Sequence, residues 1–339
     1  MKKDKLFLGI ESSCDETSAA VLKSDYTLLS NIVLSQDEIH APYGGVVPEL
    51  ASRQHIRSIG YVVDESLREA GLGLKDVDVF AVTQGPGLIG SLLVGLSFAK
   101  GLAYSFGKPL YPVDHLDAHI HSVYLENREI PLPALALLVS GGHTSLYKLT
   151  DKLDTEIIAR TRDDAAGEAL DKIAKFLGLG YPGGPIVDKL ASQGKPDEFV
   201  FKLPRMRDLS LDYSFSGYKT AALKYIREEG IDRDHPRFLD FLASFQDAVV
   251  SALLANLERA MEIHRPKSVI LSGGVSRNSR LRSRFLAMAE KYSLFANVPQ
   301  PEFCTDNAAM VACLAVIMVE KGVSPPPLLD LNAYARKPG

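Results

Sequence analysis

The chain states its plan twice. Residues 6–11, "LFLGIE", form an apolar strand, followed by the turn-rich "SSCDET", the strand "SAAVL" and another strand near Leu28–Ser35. Residues 135–140, "LALLVS", repeat the order, with the turn "GGHT", the strand "SLYKL" and a further strand near Glu156–Thr161. The second parts correspond as well. "DVFAVTQGPGLIGSLLVGLSFAKGLA" reads as strand, glycine turn and long helix, and so does "SVILSGGVSRNSRLRSRFLAMAEKY". A repeat of this kind permits few folds, because each copy must bury the same apolar strands under equivalent helices.

The interval from Glu11 to Gly85 is 74 residues and that from Ser140 to Gly273 is 133, so the second copy carries 59 more. The extra chain, about 163–260, is helical in pattern, and "ENREIPLP" at 126–133 is the natural seam. These features predict an α/β protein of two lobes, 1–130 and 131–339, with a central cleft. The last helix is free to pack back on the first lobe. Each lobe would offer glycine turns to the cleft, where bare backbone N–H groups and helix N-termini suit a phosphate. Four such turns at corresponding places point to a nucleotide.

Hydrophobic residues make up 46% and charged residues 24% of the 339, the balance of an ordinary globular protein. Three cysteines without CxxC spacing argue against a disulfide framework and for a reducing, cytoplasmic setting. "LIGSLLVGLSFAKGLAYSF" carries Lys100 and reads as a buried helix, and "MVACLAVIMV" is about half the length a bilayer requires, so no membrane is expected. A net charge of −4 gives no global attraction to nucleic acid.

"VDHLDAHIHS", residues 113–122, holds three of the eight histidines. Asp114 is a good N-cap, so the segment should be helical. His115 and His119 then project from one face a turn apart, while His121 lies roughly 200° further round and points elsewhere. Spacing leaves two readings open, a polar helix face or a pair of metal ligands lacking a third. A helical zincin would place Glu directly after the first histidine; Leu116 stands there and cannot accept a proton.

Eight ordered motifs then carry a resemblance. "GIESSCDETSAAV", "TQGPGLIGSLLVGLSFAKGLA", "HLDAH", "LVSGGHTSLY", "DDAAGEALDKIAKFLGLGYPGGP", "SFSGYKTA", "LSGGVSRNSRLR" and "CTDNAAMVA" span nearly the whole chain. Together they resemble the family of catalytic subunits of the tRNA threonylcarbamoyladenosine synthesis machinery. The resemblance implies the duplicated actin-like, sugar-kinase-like ATPase fold. It also implies transfer of a threonylcarbamoyl group from threonylcarbamoyl-AMP to the exocyclic amine of the adenosine 3′ to the anticodon.

On this resemblance Asp306 is the third ligand, opening the last long helix, and the set holds one divalent ion per subunit, iron or zinc. Cys304, on an extended segment, is read as a buried small residue. An adenylate or ATP-type nucleotide is implied at Leu138, Val139, Ser140, Gly141, Gly142, Asp171, Gly184, Asp188 and Asn278. Asp171 suits ribose hydroxyls and the Asn278 amide an adenine edge. Asp164, Glu168 and Asp171 recur as one acidic helix face. Glu11, ending the first strand, is expected to act near the reacting group or metal. Implied partners are tRNA, a shorter paralogue of the same fold and a small P-loop ATPase. Candidate phosphate contacts are Arg277, Arg280, Arg282, Arg284, Lys202, Arg205 and Arg207. Tyr218 departs from the family, which more often has a smaller aliphatic residue there. The rival readings are a small-molecule kinase of this superfamily and a non-catalytic scaffold.

Overall fold

The structure, a computed structural model, describes residues 4–202, 206 and 208–336. Arg205 and Arg207 of the expected basic patch lie outside the described residues. The chain divides into two compact units, Met1–Glu129 with Pro299–Gly339, and Ile130–Val298.

The first unit opens with β1 (Leu6–Glu11), β2 (Glu16–Lys23) and β3 (Leu28–Ser35), then the short α1 (Asp37–His40) and long α2 (Pro48–Glu69). It continues through β4 (Val79–Gly85), α3 (Ile89–Phe106), β5 (Leu110–Asp114) and α4 (His115–His121). Its five strands run in the order β3-β2-β1-β4-β5, with β1, β4 and β5 mutually parallel. Because they are parallel, their C-terminal ends lie along one edge, the usual place for ligands in such sheets. Helix α3 is less buried than its composition suggests. Ser91, Leu92, Gly95, Leu96, Ala99 and Ala103 face inward, while Leu93 and Tyr104 are exposed.

The second unit repeats the scheme with β6 (Ala134–Val139), β7 (Thr144–Asp151) and β8 (Asp154–Arg160). The insertion follows as α5 (Ala166–Phe176), α6 (Gly183–Ala191), α7 (Ser216–Glu229) and α8 (Phe238–His264). Then come β9 (Ser268–Ser272), α9 (Ser279–Lys291) and β10 (Phe295–Asn297). The sheet order is β10-β9-β6-β7-β8, the first unit's order under the repeat. Asp164 precedes α5, so it does not share a helix face with Glu168 and Asp171; Lys172 reaches back to pair with both Asp164 and Glu168. Tyr218 is buried beside Phe215 and Tyr213 in the aromatic core of this unit.

After β10 the chain forms α10 (Pro301–Cys304) and α11 (Ala308–Glu320) in the first unit. The second unit therefore ends at Val298 rather than at 339, and residues from Pro299 onward belong to the first, the packing the sequence left open for the last helix. The reason is that α11 is apolar all round and needs cover on every side. Ten of its residues, Ala308 to Ile317, are buried, and it packs on β1, β2 and α4. Each fully buried Leu, Ile, Val or Met contributes about 1.5–3 kcal/mol, so docking α11 is a large part of this unit's stability. Gly9 in β1 makes the approach possible, since a Cβ there would collide with the Ala308 carbonyl and crowd the Ala312 nitrogen.

Candidate functional site

Parallel strands bring three side chains to one edge of the first sheet: Glu11 at the end of β1, Thr83 near the end of β4, and His115 directly after β5. Asp114 fixes the start of α4 as its N-cap, accepting from Leu116 N at 2.9 Å and Asp117 N at 3.0 Å through Oδ1. From that short helix His115 and His119 present Nε2 to Asp306 Oδ1 at 3.5 and 2.9 Å. The three ligand atoms lie within 4.8 Å of one another. Ligands about 2.0–2.1 Å from a tetrahedral ion sit about 3.3 Å apart, so two imidazoles and one carboxylate fit a divalent cation after small side-chain adjustments.

Asp306 does not open the last helix. Asn307 is the N-cap of α11, accepting from Met310 N, which relieves Asp306 of that task. His121 stands apart: its Nδ1 lies 2.6 Å from Asp117 O and its ring stacks on Tyr124 at 5.8 Å. Cys304 is buried as expected, but in the helical turn α10 rather than an extended segment.

Glu11 sits behind the ligands. Its Oε2 lies 3.1 Å from His115 Nδ1 and accepts from Thr83 Oγ1 at 2.5 Å, while Oε1 accepts from Ser13 N at 2.5 Å. Ser13 Oγ also lies 3.1 Å from His115 Nδ1. A carboxylate on the far nitrogen of a ligating histidine fixes its tautomer and ring orientation. By contrast, Nδ1 of His119 is buried with no partner among the described residues. Ser13 and Thr83 were missed by sequence reasoning, although each stands in a quoted motif, Ser13 in "GIESSCDETSAAV" and Thr83 at the head of "TQGPGLIGSLLVGLSFAKGLA".

Burial alone would push the His115 imidazole down, but the Asp306 carboxylate and then Glu11 overcome it and hold the group up at about 9. Burial likewise pushes Glu11 up, and the charge and hydrogen bond of His115 outweigh it, leaving the carboxyl lowered. In metal-free protein the folded pKa of His115 is thus above its unfolded value of about 6.5. Its contribution is present in full below pH 6.5 and is lost as pH rises toward 9. The expected loss across that window is on the order of 3 kcal/mol, counting the pair once. Urea unfolding of metal-free protein at pH 6.5 and 9.5 measures it, with His115→Gln expected to lose less stability than wild type. A wild-type stability that does not fall would contradict this electrostatic reading.

The second unit gathers most of its expected residues at the C-terminal ends of its parallel strands β6 and β9. Ser140 closes the turn after β6, donating N–H to His143 O at 2.8 Å and accepting from His143 N through Oγ at 3.1 Å. Gly141 and Gly142 are exposed, with open space where a Cβ would project. Leu138 and Val139 are fully buried, so their side chains serve the core and offer a ligand only backbone.

Asp171, Asp188 and Asn278 form a chain of helix caps. Asp171 Oδ1 accepts from Gly183 N and Gly184 N at 2.9 and 2.8 Å, anchoring α6. Asp188 on α6 accepts from Ser279 N and Oγ at 3.0 and 2.8 Å, anchoring α9. Asn278 caps α9 through Oδ1 and donates Nδ2–H to Gln246 at 2.9 Å. The arginines differ from expectation: Arg280 and Arg284 both pair with Asp247, at 2.8 and 2.9 Å, while Arg277 and Lys202 are exposed.

The profile of a family described as "tRNA N6-adenosine threonylcarbamoyltransferase" matches residues 27–313. A protein of that description from Clostridium perfringens is 47% identical over 318 residues, covering 94% of both chains. One from Geotalea uraniireducens is 48% identical over 307 residues, covering 91% of this chain and 89% of its own. Among solved structures, full-length HypF in a phosphate- and nucleotide-bound form superposes over 96% of this chain and 57% of its own. Its TM-score is 0.65 at 14% identity. Component A of the Acidaminococcus fermentans (R)-2-hydroxyglutaryl-CoA dehydratase superposes over 93% and 99%, with a TM-score of 0.56 at 15% identity. These neighbours share the duplicated actin-like fold, seen here as two units with mixed sheets.

Proposed function

The chain belongs to the tRNA N6-adenosine threonylcarbamoyltransferase family, and on that premise we propose that it transfers the threonylcarbamoyl group of threonylcarbamoyl-AMP to adenosine in tRNA. The acceptor is the exocyclic amine of the nucleoside 3′ to the anticodon, in tRNAs reading codons that begin with A. A bond forms between the carbamoyl carbon and N6, the bond to the phosphate oxygen breaks, AMP leaves and the amine loses a proton. The observation that carries the reading is the cluster of His115, His119 and Asp306 in a chain of this family.

An aromatic amine is a weak nucleophile, so the carbonyl needs activation and the leaving phosphate needs a fixed place. A divalent ion, iron or zinc, held by the three ligands would supply Lewis acidity. Glu11 keeps His115 oriented toward that position. The Ser140–Gly142 turn offers unscreened backbone to the adenylate, supported by the open space at Gly141 and Gly142. In this scheme Gly184, beside Asp171, permits close approach of the ribose, and proximity supplies much of the remaining rate.

The proposed setting is the cytoplasm, where the three cysteines stay reduced. Partners are part of the proposal: a shorter paralogue and a small P-loop ATPase would contribute positive surface. Two considerations support this, the net charge of −4 and the pairing of Arg280 and Arg284 with Asp247. Mass spectrometry of tRNA nucleosides after incubation with threonylcarbamoyl-AMP, with those partners supplied, tests the reading. A new threonylcarbamoyl adenosine is expected; unmodified tRNA would refute the transferase.

A further inference from the structure

The C-terminal segment of the first unit is fastened to β4 and α3, and through Asp114 to the start of the helix that carries His115 and His119. Leu331 is buried among β1, β4 and α3 side chains, and its carbonyl accepts from Lys100 Nζ at 2.5 Å. Gln84 Nε2 donates to Asn332 O at 2.7 Å, and Tyr334 N donates to Gln84 O at 3.2 Å. Tyr334 lies so close to Gly85, at the end of β4, that a Cβ there would collide with the Tyr334 carbonyl and ring. From this seat the Tyr334 hydroxyl donates to Asp114 Oδ2 at 2.7 Å.

Asp114 is thus held at both oxygens. Oδ1 takes the two helix N–H groups, and Oδ2 takes the phenol. Helix α4 has seven residues, too few to be stable by itself. Its direction depends on how its first turn is capped, and His115 is the residue immediately after the cap. A carboxylate free to rotate would let that turn tilt, and the His115 ring would move with it. We infer that Tyr334 is a positioning residue for the metal centre, acting through Asp114 on the helix that presents His115 and His119. The inference rests on the metal reading of the cluster and is independent of what acyl acceptor the enzyme uses.

The test uses cobalt(II) as the probe, with the full chain. Tyr334→Phe keeps the ring against Gly85 and removes only the hydroxyl. Asp114→Ser keeps a capping oxygen but is too short to reach the phenol. Cobalt dissociation constants come from chelator competition and ligand geometry from the visible absorption bands; thermal unfolding of metal-free protein reports bulk stability. Outer residues that orient metal ligands cost 10–100-fold in affinity when removed, and Tyr334→Phe is expected at the lower end, about tenfold, with altered cobalt bands. In the Asp114→Ser background the same change should add nothing. A Tyr334→Phe constant within about twofold of wild type, or an effect fully additive with Asp114→Ser, would overturn the inference. Wild-type protein that binds no cobalt would overturn the metal reading with it. Normal cobalt binding without tRNA modification would refute the transferase alone.

Discussion

Replacing His115 or His119 with alanine is expected to strip the protein of metal and to lower tRNA modification by about a thousandfold or more. The magnitude follows from the loss of several kcal/mol of charge stabilisation at the reacting carbonyl, with each 1.36 kcal/mol worth tenfold. Either change leaves one imidazole and the Asp306 carboxylate, too few to close the set. His121→Ala is the internal control. It removes a buried ring that stacks on Tyr124 and sits against Asp117 O, so it costs stability, yet metal content and modification should stay within about twofold. Elemental analysis of the three purified variants decides the matter, because equal metal in all three would refute the assignment.

Glu11→Gln is expected to weaken metal binding by about 10–100-fold while the protein remains folded. The amide matches the carboxylate in shape but has only one acceptor oxygen. Thr83 Oγ1 and Ser13 N both donate to Glu11 now, on different oxygens, and His115 Nδ1 lies against one of them. In the variant one of these groups must face an N–H. Metal affinity by chelator competition measures the effect. Unchanged affinity with lost turnover would show that Glu11 acts on the reacting group, one of the two roles the sequence left open, and would remove it from its place behind His115.

The duplicated sheets were legible because short continuous apolar runs and glycine turns are local signals; β3 has the bounds expected of it, Leu28–Ser35. The sequence left the place of α11 open, allowing it to pack back on the first lobe, since a helix apolar on every face announces burial without saying under what. Likewise the pair His115 and His119 follows from helical spacing, but His119 and Asp306 are 187 positions apart, and only the family resemblance joined them. Asp306 was read as the start of a helix that Asn307 caps, because adjacent Asp and Asn are equally good caps on paper. Ser13 and Thr83 stand inside quoted motifs, but a hydroxyl residue there does not announce a contact with a carboxylate 72 positions away or a histidine 102 away. The arginine run looked like open positive charge because Asp247, which pairs with two of its members, lies on a different helix.

The set of ligands is the claim on which the rest depends, and X-ray absorption of the metal-loaded protein at the metal edge tests it most directly. Two imidazole nitrogens at about 2.0–2.1 Å with at least one oxygen at about 2.0–2.2 Å are predicted, and removal of Asp306 should cost the protein its metal as loss of either histidine does. A cysteine would be competing chemistry, but burial and the Asp15 and Asp306 carboxylates push the Cys14 thiol up, away from the thiolate a metal prefers. A sulfur shell near 2.3 Å, or the scattering of a single imidazole, would contradict the account.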